Sequence, residues 1–200
     1  MVTPAEAKRN QLLATIESVA VPKGYHPASI LIHSEHESGR FEKIIGWNNF
    51  WGIKVPKKRE WKGIVVPVIT HEVFTNNFHF VKFLNKKLPD IIEVRYNERV
   101  EMVPNIDKPE EKRARKVRTW TVKLTDSFCD WPREKAALEW YMDLIERLYP
   151  NAYDNRNNPP EFFKGLVNGT RKWATDPNYA DKLIALYESV KDKEEPGANA

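Results

Sequence analysis

Cysteine is almost missing from this 200-residue chain, with Cys129 its only example. A single thiol excludes an intramolecular disulfide framework and any zinc site built from several cysteines, so stability has to come from packing. Long apolar runs are missing too. No stretch of about 18 apolar residues occurs, which excludes a membrane-spanning helix. The first twenty residues are amphipathic and lack the uninterrupted apolar core of a secretory leader, so the expectation is synthesis in the cytoplasm without a signal peptide. Neither charge sign dominates: Lys and Arg number 32 against 28 Asp and Glu, a net charge of +4.

What is present suffices for a core. Hydrophobic residues make up 41% of the chain, which excludes disorder throughout because that much side chain can offset the ordering entropy. The basic excess is uneven. Lys82 to Lys123 holds 12 basic and 7 acidic side chains, a surplus of five, so the rest of the chain has no basic excess at all. Attraction to a polyanion is therefore expected to be local to that segment.

The spacing of Leu12, Leu13, Ile16 and Val19 predicts a helix over 4–20, and Pro27 in a first-turn position opens a second helix ending near Ser38, with Gly39 as its left-handed cap. Residues 46–56, rich in Gly, Asn and aromatics, read as a loop running into a strand. Strands are predicted over 63–74, 91–103 and 116–128, the first at a sheet edge because it contains Pro67. The charged stretch between the last two reads as a hairpin tip or solvated arm. Helical spacing returns from Pro132, near 159–168, and from Pro177 to about Val190 behind Asp176 as N-cap. No internal repeat is visible. The pattern is α+β: helices at both ends and a strand-rich insert between.

Five motifs occur in a fixed order. Glu37-Ser38-Gly39 is followed by Asn49-Phe50-Trp51-Gly52-Ile53-Lys54, then by Trp61-Lys62-Gly63 leading into Thr70-His71-Glu72, then by Phe128-Cys129-Asp130-Trp131, and last by Ala174-Thr175-Asp176-Pro177-Asn178-Tyr179-Ala180 with Lys182. This arrangement resembles glycoside hydrolase family 73, the bacterial and phage peptidoglycan β-N-acetylglucosaminidases of the flagellar-rod-hydrolase and autolysin type. The chain departs from the family at His33, often Gln; at Arg40-Phe41, often Trp-Gly; at Phe50 with Trp51; and at Trp173, usually Tyr. Residues from about 76 to 116 exceed the usual hairpin, and the resemblance is silent on them.

The resemblance implies a mainly helical, lysozyme-like domain over 1–193, with a β-lobe at about 61–128 inserted between the catalytic helix and the C-terminal helices, and a flexible tail at 194–200. It implies cleavage of the N-acetylglucosaminyl β-1,4 bond of peptidoglycan glycan strands, with Glu37 as general acid, Glu72 as second carboxylate across a cleft, and no cofactor or metal. Trp47, Phe50, Trp51 and Trp173 are candidates for a sugar groove, with core packing the alternative for each; Asn48 and Asn49 are candidates for acetamido binding or a turn; Tyr179, in the last motif, is a candidate substrate-binding residue. The expected partners are the glycan strands and anionic wall polymers at the basic segment, with no nucleic acid and a monomeric state. Action on the wall without a signal peptide suits a phage lysin or a cargo of non-classical export.

Independently of the resemblance, glycosidic cleavage needs a carboxylic acid that stays protonated and a second carboxylate. Glu37 and Glu35 lie about 200° apart around a helix, so only one can face a given cleft. A position in the last turn, at the negative end of the helix dipole, favours the protonated form of Glu37. The rival readings are an inert wall-binding or virion module of the same fold, and an amidase using Cys129 with a histidine. His33 and His36 both precede Glu37, so they do not make a His-Glu-x-x-His zinc helix.

Overall fold

The computed structural model describes residues 2–56, 61–104, 108 and 110–194. They divide into two compact units, one made of those within 1–66 and 128–194 and the other of those within 67–127.

The first unit is helical. Helix α1, Pro4–Val19, starts at a capping box in which the Thr3 side chain and Glu6 satisfy each other's backbone N–H groups. Helix α2, Pro27–Glu37, starts at His26, whose Nδ1 accepts from the Ala28 N–H at 3.1 Å. Every residue of α2 from Ala28 to Ser34 is buried, the signature of a helix surrounded by others rather than laid on a surface. Its neighbours include α1, α4 (Glu134–Leu148), α6 (Pro159–Gly165) and α7 (Tyr179–Glu194). Helix α5, Pro150–Asp154, precedes α6 and was not visible in the sequence pattern. The core contains Leu12, Ile16, Ile30, Ile32, Leu138, Ile145, Phe162 and Leu183, all at most 1% exposed; full burial of such side chains contributes roughly 1.5–3 kcal/mol each. Helix α7 begins two residues later than predicted, because Asp176 Oδ1 accepts from the Asn178 N–H in a turn that precedes it. Residues 195–200, most of the expected tail, lie outside the described residues.

The second unit is built on a three-stranded sheet in the order β1-β3-β2, with β1 Ile64–Phe74, β2 Ile91–Pro104 and β3 Lys112–Asp130. Strand β1 is at an edge, as Pro67 requires. Strands β2 and β3 pair antiparallel from Ile91–Leu124 to Pro104–Lys112. The Lys112–Lys116 run, expected at a tip or arm, is thus paired strand; residues 105–107 and 109 of that stretch lie outside the described residues. Helix α3, Asn77–Lys87, fills the stretch on which the resemblance is silent, capped by Asn76 Oδ1 on the N–H groups of Phe78 and His79. Its Phe80 meets Val122 and Leu124 and stacks on Trp120 at 5.2 Å, and Phe83 lies 4.9 Å from Phe74. Among the described residues no helix is long and apolar enough to cross a membrane.

Candidate active site

Glu37 is the last residue of α2, so its side chain emerges where a buried helix ends; it is 22% exposed. Tyr179, the first residue of α7, donates its hydroxyl hydrogen bond to Glu37 Oε1. Trp173, half-buried, also neighbours the carboxyl. Burial pushes the Glu37 carboxyl above the ordinary glutamate range, while the Tyr179 and His36 neighbours and the indole pull in the opposite direction without cancelling it.

Behind Glu37 stands His33, one turn earlier and fully buried. Its Nδ1 lies 2.6 Å from the Tyr141 hydroxyl, whereas its Nε2 makes no hydrogen bond and lies 3.9 Å from Glu37 Oε1. Burial drives the His33 pKa down to about 3, so the ring is neutral at physiological pH and adds no positive charge that would ionise Glu37. The Trp173 ring lies 4.5 Å from the His33 ring in an edge contact. Sequence reasoning noted His33 as a departure from the family and as no part of a zinc helix; its link to Tyr141, 108 positions away, has no signal in local spacing.

The turn leaving α2 is strained. Gly39, as its residue type suggests, is left-handed at φ 57°, but Arg40 and Phe41 follow at 59° and 65°. A left-handed conformation costs a residue with a Cβ roughly 1–2 kcal/mol. The turn is held by the Arg40 N–H on the Glu35 carbonyl at 2.7 Å, the Phe41 N–H on Ser38 Oγ at 3.0 Å, and burial of the Phe41 ring against Phe50. Arg40 itself is exposed. Arg40→Gly is therefore expected to stabilise the protein by up to about 1 kcal/mol, after glycine's larger unfolded-state entropy is subtracted; the urea midpoint measures it.

The loop after this turn contains no strand, contrary to expectation, but two isolated bridges, Ile45–Asn49 and Lys54–Phe128. Its organiser is Asp130, 2% exposed, whose carboxylate accepts from the N–H groups of Trp47 at 2.9 Å, Asn48 at 2.9 Å and Trp131 at 2.8 Å. Asn48 and Asn49 are buried with their amides engaged: Asn48 Nδ2 donates to the Trp131 carbonyl while its Oδ1 accepts from Lys8 Nζ at 3.4 Å, and Asn49 Nδ2 donates to the carbonyls of Ile53 and Cys129 while its Oδ1 accepts from the Ile53 N–H. Trp51 is 1% exposed and stacks on Tyr141 at 4.1 Å. These three side chains occupy the packing and turn alternatives, since no face or amide is left open to a sugar. Trp47, by contrast, is 64% exposed. The stack carries the loop's order to Tyr141, and Tyr141 carries it to His33 beside Glu37. Asp130 was quoted in the sequence motif without a role, because hydrogen bonds spanning some 80 positions leave no periodicity.

Glu72 belongs to the strand-rich unit. It is half-buried in β1, and the two-residue period puts it on the strand face that carries Thr70, which donates to Asp126, and Phe74, which packs on α3. Cys129 is buried, and burial pushes its thiol up to about 12, so the thiolate an amidase nucleophile needs is not populated at physiological pH. Among the described residues no cluster of three or more His, Cys, Asp or Glu side chains is placed to ligate a metal.

A buried helix ending in a largely buried carboxyl, with a three-stranded sheet inserted before the C-terminal helices, gives an α+β architecture. Solved structures that share this fold include the three that follow. The catalytic domain of the autolysin Auto from Listeria monocytogenes is 17% identical with a TM-score of 0.57, covering 94% of this chain and 86% of its own. The glycoside hydrolase domain of FlgJ from Salmonella typhimurium is 19% identical with a TM-score of 0.57, covering 96% and 92%. A mutant peptidoglycan hydrolase from Sphingomonas sp. A1 is 19% identical with a TM-score of 0.54, covering 93% and 98%. No family model matches the sequence, and no curated protein matches it.

Proposed function

We propose that this protein is a peptidoglycan hydrolase that cleaves the N-acetylglucosaminyl β-1,4 bond, with Glu37 as general acid and Glu72 as second carboxylate. The observation that carries the reading is the setting of Glu37: a carboxyl at the exit of a buried helix, 22% exposed and held by the Tyr179 hydroxyl. The fold shared with glycoside hydrolase and peptidoglycan hydrolase domains supports the same reading, as does the motif order that ends at Tyr179.

In the proposed reaction Glu37 protonates the glycosidic oxygen as the bond to the anomeric carbon breaks, and the second carboxylate stabilises the oxocarbenium-like state or activates the incoming water. His33, neutral and tied to Tyr141, is a positioning residue that fixes the floor beneath Glu37. Trp47, exposed, and Trp173, half-buried beside the carboxyl, offer ring faces to sugar. Trp51, Asn48 and Asn49 serve the site as scaffold. The wall is the place of action.

Mass analysis of digested, purified peptidoglycan tests the bond. The expected fragments carry new reducing N-acetylglucosamine ends. New reducing ends on N-acetylmuramic acid would overturn the specificity, new amine ends would overturn the reaction class, and wall binding without fragments would leave an inert module.

A further inference from the structure

The strand-rich unit holds a hollow that the proposed hydrolysis does not use. It has a volume of about 630 Å³ and is lined by Thr75, Asn76, Asn77 and Phe78 at the β1–α3 corner, and on β3 by Arg115, Lys116, Arg118 and Trp120 among others. Its charge is one-sided. Glu98 on β2 pairs with two of the cations, taking Arg118 Nε on Oε2 at 2.9 Å and Lys116 Nζ on Oε1 at 3.3 Å, and it also accepts from the Tyr96 hydroxyl. One carboxylate thus orients two cations and leaves a surplus. Arg115 forms no ion pair among the described residues, and Lys82 adds a further cation over the Phe78 ring at 5.8 Å. Asn76 already caps the first turn of α3, so the cations are the anion-binding groups here, not the helix end.

The aromatic lining narrows the ligand. Phe78 is 67% exposed, and Trp120 is half-buried, stacked on Phe80 at 5.2 Å and tilted against Tyr96 at 5.6 Å. One open ring beside a half-covered one does not make the succession of stacking platforms that single-stranded nucleic acid uses. Guanidinium forks match phosphate oxygens in pairs, and a single phenyl face suits the C–H groups of a sugar alcohol. We infer that this hollow binds a phosphodiester-linked polyol chain, an anionic polymer of the wall. That the natural polymer is a wall component rests on the function proposed above; the hollow's affinity for polyol phosphate does not.

The test measures binding of a short synthetic poly(glycerol phosphate) to the full chain at low salt. Arg115→Gln with Arg118→Gln is compared with Lys112→Gln with Arg113→Gln, which removes the same charge from the same strand outside the hollow. The expected result is a loss of affinity of about tenfold or more for the first pair, a much smaller loss for the second, and a further loss for Phe78→Ala, which changes no charge. Equal losses for the two pairs would show a diffuse field and overturn the proposal. So would absence of binding by the unaltered protein, or duplex DNA of equal phosphate content binding as tightly. Hydrolysis of short soluble glycans is followed in parallel: if none occurs while the hollow binds as described, the enzyme reading fails and the binding site stands.

Discussion

Glu37→Gln is expected to reduce cleavage of glycan strands on the order of 10²-fold or more, the usual contribution of a positioned general acid. Gln keeps the shape and still accepts from the Tyr179 hydroxyl, so the loss isolates the proton. Glu35→Gln is the internal control: Glu35 lies 3.9 Å from Arg9 on another side of α2 and should leave the rate nearly unchanged. The pH dependence follows from the raised proton affinity of Glu37. Activity on the alkaline side should fall as pH rises through the Glu37 pKa, because the acid form disappears. Stability changes in the same window. An acid whose folded pKa lies above its unfolded value of about 4.3 contributes stability below that value and loses it as pH rises through the folded pKa. Glu37→Gln should therefore raise the urea midpoint relative to the unaltered protein at neutral pH and lose that advantage in acid. A variant that is inactive and less stable at neutral pH would point to a broken fold instead.

Asp130→Ala is expected to cost at least about 3 kcal/mol, since it removes three hydrogen bonds to a buried carboxylate and leaves their N–H groups without an acceptor. Those three are the bonds from Trp47, Asn48 and Trp131. Gly46→Ala should reproduce much of the defect from the other side. Gly46 sits at φ 62°, and a Cβ there would come within 2.3 Å of Asp130 Oδ2. Both variants should also lower activity, because the loop they loosen carries Trp51, whose stack on Tyr141 supports His33 behind Glu37. Denaturant melts together with rates at saturating substrate separate the two effects. Full activity in a destabilised Asp130→Ala protein would show that the loop and the acid are independent.

The helical unit was largely legible because its signals are local. Pro27 and Gly39 bracket α2, apolar spacing marks α1 and α4, and Pro67 assigns β1 to an edge. Helix α3 was legible in principle, since Asn76 is a cap and Phe80, Phe83 and Leu84 fall at helical spacing, but a family pattern with a shorter hairpin offers no slot for it. The aromatic loop shows where pattern reading stops. Trp47 and Trp51 look alike in sequence, yet one is open and the other sealed, and what separates them is Asp130 fixing the loop's path and Tyr141 supplying a partner ring. Both come from positions some 80 to 90 residues later. The direction of the Glu37 shift is expected from its place in the last turn and from partial burial in a cleft, and burial is its largest cause in the structure.

The most direct measurement is an NMR titration of the Glu37 side-chain carboxyl carbon in the full chain, with the signal assigned by its absence in Glu37→Gln. A midpoint clearly above the ordinary glutamate value of about 4.3 is the result predicted for a desolvated acid held ready to give up its proton. A midpoint at or below that value would mean that Glu37 is ionised where it must be protonated, and would contradict its role as the general acid.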